Sequence, residues 1–234
     1  DTVNRNIETE IAYKLSSWQI GSMLSLVPPA YQSYFDEFEG DGLLTSEGVV
    51  KGILNDSVMP LLDVHLLLEE GKLSYAGFPL PLHDVEGDLN FVSDLKTDAI
   101  SSVRINRMRA STPRSTVHIA GLVDHLFSDI HADLTMNYRL RLDEFAPVIP
   151  DSMNLELHGR AAGKIRSAFS LSHLKKMQLE RMRISGSAAL SDLDLTYDSL
   201  SLKTDRSEIE FALPNRSASA ENTGFAFAPI LSDN

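Results

Sequence analysis

The chain has 234 residues, 43% of them hydrophobic and 23% charged, with 33 acidic against 21 basic side chains and a formal net charge of −12. A surface of that sign repels phosphodiester backbones and anionic head groups, which argues against nucleic-acid binding and against flat electrostatic docking on a membrane. Cysteine is absent, so disulfides, thiolate nucleophiles and cysteine metal sites are excluded as well. No leader pattern is visible at Asp1, and the chain reads as part of something longer.

In chain order, Gly21 to Pro28 is a short apolar turn ending in proline, and Pro29 to Phe38 is expected to be a helix with Tyr31, Tyr34, Phe35 and Phe38 on one face. Gly48-Val49-Val50-Lys51-Gly52 lacks phosphate-loop spacing and is read as a bent strand end. From there, alternation with a period of two takes over, placing successive side chains on opposite faces of a strand. Val64, Leu66 and Leu68 alternate up to a turn signal at Glu70-Gly71, followed by Leu73 and Tyr75. Val85, Gly87, Leu89 and Phe91 alternate with Glu86, Asp88 and Asn90. Arg104, Arg107, Arg109 and Arg114 form a basic run, read as a solvated face with a phosphate head group as the other reading. Val117, Ile119, Gly121 and Val123 resume the pattern.

The cleanest strand starts at Ile130 and continues through Ala132, Leu134, Met136, Tyr138 and Leu140 to Leu142, with polar residues between. Asp143 is expected to cap a helical turn that Pro147 and Pro150 stop. Leu155 and Leu157 begin another strand, and Ser167 to Met177 has helical spacing in Phe169, Leu171, Leu174 and Met177. Leu193, Leu195 and Tyr197, then Ile209, Phe211 and Leu213, give two more strands before Pro214. Glycines at Gly87, Gly121, Gly159, Gly163 and Gly186 fall inside strand patterns and are expected to mark bulges or bends.

The fold class this implies is mainly β: a curved antiparallel sheet forming an open or partly closed groove, built of repeated strand units with a few short helices. Residues 1–214 are expected to form one repeat-built β domain, and residues 215–234 a polar tail in which one strand could dock. Each large aliphatic side chain withdrawn from water contributes about 1.5–3 kcal/mol, so a many-stranded apolar face needs cover. Helices this short cannot supply it. A second sheet, a curl of the sheet, or a ligand must do so. A closed sandwich with a dry core and a hydrophobic gutter wide enough for acyl chains both satisfy that demand.

Chemistry is sparse. Seven histidines are present, none with His-Glu-x-x-His spacing, and there is no Gly-x-Ser-x-Gly elbow. His118, Asp124, His125, His131 and Asp133 lie close together on consecutive strands, where ligands for zinc or nickel would meet. Polar positions of an alternating strand are the simpler reading, so no catalytic residue, metal or cofactor is expected. Trp18, the only tryptophan, reads as a small-core anchor rather than a ligand-stacking residue. Ser57, Ser152 and Ser199 stand in Asp-Ser-apolar triplets that fit a bacterial O-glycosylation pattern.

Three stretches carry a resemblance: Leu61 to Pro79, Val117 to Val123, and the strand from Ile130 running into Asp143 to Pro150. The chain resembles the C-terminal periplasmic region of the AsmA-like family, relatives of TamB and of the chorein-type lipid bridges. The resemblance implies a periplasmic module held at the inner membrane by a segment outside this chain. It implies a non-enzymatic role in outer-membrane biogenesis, binding or conducting phospholipid along an apolar β-groove. The alternative is a scaffold that assists outer-membrane protein assembly through edge strands. Expected partners are phospholipid acyl chains and, in the alternative, outer-membrane assembly components. The candidate groove lining is Val117, Ile119, Ile130, Leu134, Met136, Tyr138, Leu155, Leu157, Leu193, Leu195 and Tyr197.

Overall fold

The computed structural model describes residues 6–21, 38–55, 58–75, 78–94, 100–149, 154–176, 178–197 and 200–213. The expected helix from Pro29, the turn from Gly21 to Pro28, the three candidate glycosylation serines and the tail after Leu213 lie outside these residues, apart from Gly21 and Phe38.

Ten strands make one sheet: β1 (Ile7–Gln19), β2 (Phe38–Leu54), β3 (Leu61–Tyr75), β4 (Phe78–Ser93), β5 (Ser102–Ser111), β6 (Thr116–Asp124), β7 (His131–Arg141), β8 (Leu155–Ser170), β9 (Arg183–Tyr197) and β10 (Leu200–Leu213). Their spatial order is their sequence order, and every pair is antiparallel. The sheet is not closed into a barrel. The architecture is thus the expected mainly β, curved antiparallel one. Short helical pieces sit at the strand ends: η1 (Leu142–Val148), α1 (Leu171–Lys175) and η2 (Leu179–Arg181).

Because partners in an antiparallel ladder share a face, the register can be followed across the whole sheet. Trp18, Leu44, Leu68, Gly87, Met108, Ile119, Met136, Ile165, Gly186 and Phe211 are successive partners through all ten strands. The adjacent row on that face is Leu15, Ser46, Leu66, Leu89, Ile105, Gly121, Leu134, Ser167, Ile184 and Leu213. On the opposite face, Glu86, Arg109, His118, Asn137, Lys164, Ser187 and Glu210 form a wholly polar row. Apart from Ser46 and Ser167 the two rows on the first face are apolar from edge to edge, whereas the row on the other is polar throughout.

Bulges set this register. Ser17, Glu70 and Asp84 take positive φ (54°, 53° and 50°), as does Gly42 (142°), and each sits at a register shift. Together they cut a crease across β1 to β4, with a cavity of about 360 Å³ lined by Gly42, Glu70, Gly71 and Asp84 among others. Glu70-Gly71 is therefore a bulge inside β3 and not a turn. The strand continues to Tyr75 because β2 and β4 pair with it on both sides of the shift.

Other expectations also change. Gly159 (φ 118°) marks a bulge and Gly121 (φ 152°) lies beside one. Gly87 also lies beside register shifts, whereas Gly163 and Gly186 pair in register and leave room for a neighbouring aromatic, Tyr138 over Gly163 and Phe211 over Gly186. The helix expected over Ser167 to Met177 shrinks to Leu171–Lys175, since β8 pairs with β7 as far as Ser170. Asp143 is not a cap: Arg141 precedes the helical turn and makes no side-chain cap hydrogen bond.

The short strands β5 to β7 leave a notch at one rim between the longer β4 and β8, and η1 spans it, contacting both. Glu144 anchors η1 there, accepting hydrogen bonds from Thr112 Oγ1 (2.7 Å) and Ser115 Oγ, with Arg114 beside it. Burial pushes the Glu144 carboxyl up. The hydrogen bonds from Ser115, Thr112 and the Arg114 backbone, with the Arg114 charge, outweigh this and hold it below its ordinary 4.5. A carboxylate with a depressed folded-state pKa stabilises above its unfolded value and loses that contribution as pH falls through the folded one. Glu144→Gln is accordingly expected to cost about 2 kcal/mol near neutral pH, the scale of hydrogen bonds to a charged group. Urea unfolding of both proteins should show the difference closing below pH 4.5.

Candidate apolar groove and rim cluster

Among the described residues each strand packs against its sheet neighbours, η1 packs against β4 and β8, and α1 packs against β8 and η2. The ten described strands form one sheet, and no second sheet forms among the described residues. Val64, Val85, Ala110, Ala132, Tyr138, Ala161 and Leu193 are buried on the apolar face. Ile119, Leu134, Met136, Ile165, Leu157 and Leu195 are only half-buried, shielded by their neighbours in the sheet. Ile7 and Ile11 on β1 and Leu202 on β10 are more than half exposed.

The expected groove residues fall on this one face. Val117 pairs with Tyr138, Ile119 with Met136 and Gly121 with Leu134. Leu157 pairs with Leu195 and Leu155 with Tyr197, while Leu193 lies two residues before Leu195 along β9. Ile130 is the exception: it precedes β7, and its carbonyl accepts a hydrogen bond from the Leu171 N–H. Tyr138 is buried, its hydroxyl donates to the Ser187 carbonyl at 3.2 Å, and burial raises its pKa. Tyr13 sits over Gly48 with its hydroxyl 3.1 Å from Ser46 Oγ, so both polar atoms on this part of the face are satisfied.

Several contributors escaped the sequence pattern. Val103, Ile105, Met108 and Ala110 of β5 lie on the apolar face through Val123, Gly121, Ile119 and Val117. A bulge separates Ile105 from Met108 and breaks their alternation. Trp18 likewise joins the apolar row and is 41% exposed, so it anchors no small core. Of the basic run, Arg104, Arg107 and Arg109 lie on the polar face; Arg109 approaches Glu86 at 3.7 Å and Arg114 pairs with Asp143 at 2.7 Å. They are a solvated face.

At the opposite rim the structure gathers Asp124, His125 and His131, whose ligand atoms lie within 4.8 Å of one another. Asp133 lines the same cavity, whereas His118 lies along β6 opposite Asn137 and takes no part. No described helix is long and apolar enough to cross a membrane. No family model matches the chain, and neither a curated protein nor a solved structure shows significant similarity to it.

Proposed function

We propose that the chain is a lipid-handling module of an AsmA-like envelope protein, binding or conducting phospholipid along its apolar sheet face. In this reading it works in the periplasm, held to the inner membrane by a segment outside the chain, serves outer-membrane biogenesis and catalyses nothing. The observation that supports it is the row from Trp18 to Phe211, in which every partner across ten strands is apolar or glycine. At a strand spacing of about 4.8 Å that row is roughly 40–45 Å wide. For a surface this wide, given no second sheet by the described residues, something apolar must cover it. An acyl chain does so with a gain of about 0.8 kcal/mol per buried methylene, and its head group stays at the rim.

The test is native mass spectrometry and lipid analysis of the protein after gentle extraction. Phospholipid should travel with the chain in near-stoichiometric amount, and a lipid-free protein at every extraction condition would sink the proposal.

A second reading rests on a different feature. Among the described residues β1 pairs only with β2 and β10 only with β9, so the sheet offers two edges for strand addition. Under this reading the module assists outer-membrane protein assembly. Cross-linkers on β1 would then recover a β-barrel client instead of lipid.

A further inference from the structure

The rim cluster is a different kind of site on the opposite face. Asp124 ends β6 and His131 begins β7, and the two are direct partners across the hairpin, so their side chains share the polar face. In an undisturbed strand His125 would point away from Asp124. Its positive φ of 55° breaks the alternation, while its N–H is fixed to the Ser101 carbonyl at 3.0 Å. The imidazole is thereby brought onto the same cluster, edge-on to His131 with ring centroids 5.2 Å apart.

Between the rings lies Asp124 Oδ1, 3.8 Å from His125 Nε2 and 3.7 Å from His131 Nδ1. Both distances exceed hydrogen-bond range. That oxygen is shut off from solvent and accepts no hydrogen bond from any described residue. A shielded carboxylate oxygen is costly to leave unsatisfied, and here two imidazole nitrogens approach it without reaching it.

We propose that Asp124, His125 and His131 bind one divalent transition-metal ion of the zinc class, which staples the corner between β6 and β7. An ion among the three donors satisfies the orphaned oxygen. Closing each donor by a few tenths of an ångström reaches the roughly 2.0–2.2 Å bond lengths of zinc with nitrogen and oxygen. Two imidazoles with one carboxylate select a borderline ion over magnesium or calcium, which prefer oxygen cages. The remaining coordination position faces a cavity of about 390 Å³, lined also by Asp133, Ser170, His173 and Arg183, so water completes the shell. Asp129 closes this corner from the side, accepting hydrogen bonds from the Ser172 N–H (3.0 Å) and Oγ (2.7 Å) and so holding α1 and its His173 over the cavity.

The experiment is calorimetric titration of the chelator-treated chain with zinc chloride. One zinc per chain should bind, and saturation should raise the thermal midpoint. His125→Ala and His131→Ala should each weaken zinc binding at least about tenfold, while His118→Ala, on the same hairpin but outside the cluster, should leave it unchanged. Absence of stoichiometric zinc, or an equal loss in His118→Ala, overturns the proposal. Should the alanine variants misfold, the native chain decides with cobalt(II) as probe. Paramagnetic broadening of the His125 and His131 ring signals that spares His118 supports the site, and uniform broadening or none overturns it.

Discussion

Replacing Leu134 by Asp is expected to abolish phospholipid capture while the chain stays folded. Leu134 lies near the centre of the apolar face, between Gly121 of β6 and Ser167 of β8, and is only half-buried. In a two-layered protein a carboxylate at such a place would be stranded in a dry core and the fold would fail. With no second sheet among the described residues, the charge is expected to reach water, so circular dichroism and the thermal midpoint should change little. Its effect falls on the ligand, because an acyl chain crossing that point would have to desolvate it. Val85→Asp supplies the contrast: Val85 is 2% exposed, and that variant should unfold. If Leu134→Asp unfolds as Val85→Asp does, the face is packed interior and the lipid proposal fails with it.

Gly121→Ala should destabilise the sheet by about 3 kcal/mol or more, combining left-handed backbone strain with overpacking. Gly121 has φ 152°, a conformation open to glycine alone. A Cβ there would sit 2.9 Å from Leu134 Cα and collide with the Asp133 carbonyl, so β6 and β7 must separate. Urea unfolding measures the loss, and amide exchange should show protection disappearing first along His131–Arg141. Gly87→Ala is the control. It lies in the same sheet, but its Cβ would meet Leu68 at an ordinary 3.5 Å, so stability should move by no more than about 0.5 kcal/mol.

What the sequence disclosed follows from where the alternation runs unbroken. β7 reads directly because His131 to Arg139 pair with β6 and His131 to Arg141 with β8, in both cases without a bulge. β5 does not, because its bulge puts Ile105 and Met108 on one face although they are three residues apart. The turn signal at Glu70-Gly71 is genuine turn chemistry, yet flanking strands hold those residues in a bulge. The rim cluster was legible as neighbouring candidate ligands, but alternation assigns Asp124 and His125 to opposite faces, and the positive φ at His125 is what reunites them. That the groove residues share a face was legible from their spacing. That the described strands form one sheet and not two was not, since an alternating strand has the same pattern under a second sheet or under a lipid.

Acyl chains lying on one side of the sheet is the claim on which the functional account rests, and a photoreactive side chain tests it most directly. Met136 and Asn137 are adjacent in β7, the first in the apolar row and the second in the polar one. A photoreactive amino acid at position 136 should cross-link phospholipid tails in cells expressing the protein, and one at position 137 should not. Equal labelling at both positions, or at neither while the protein is folded, would contradict the account.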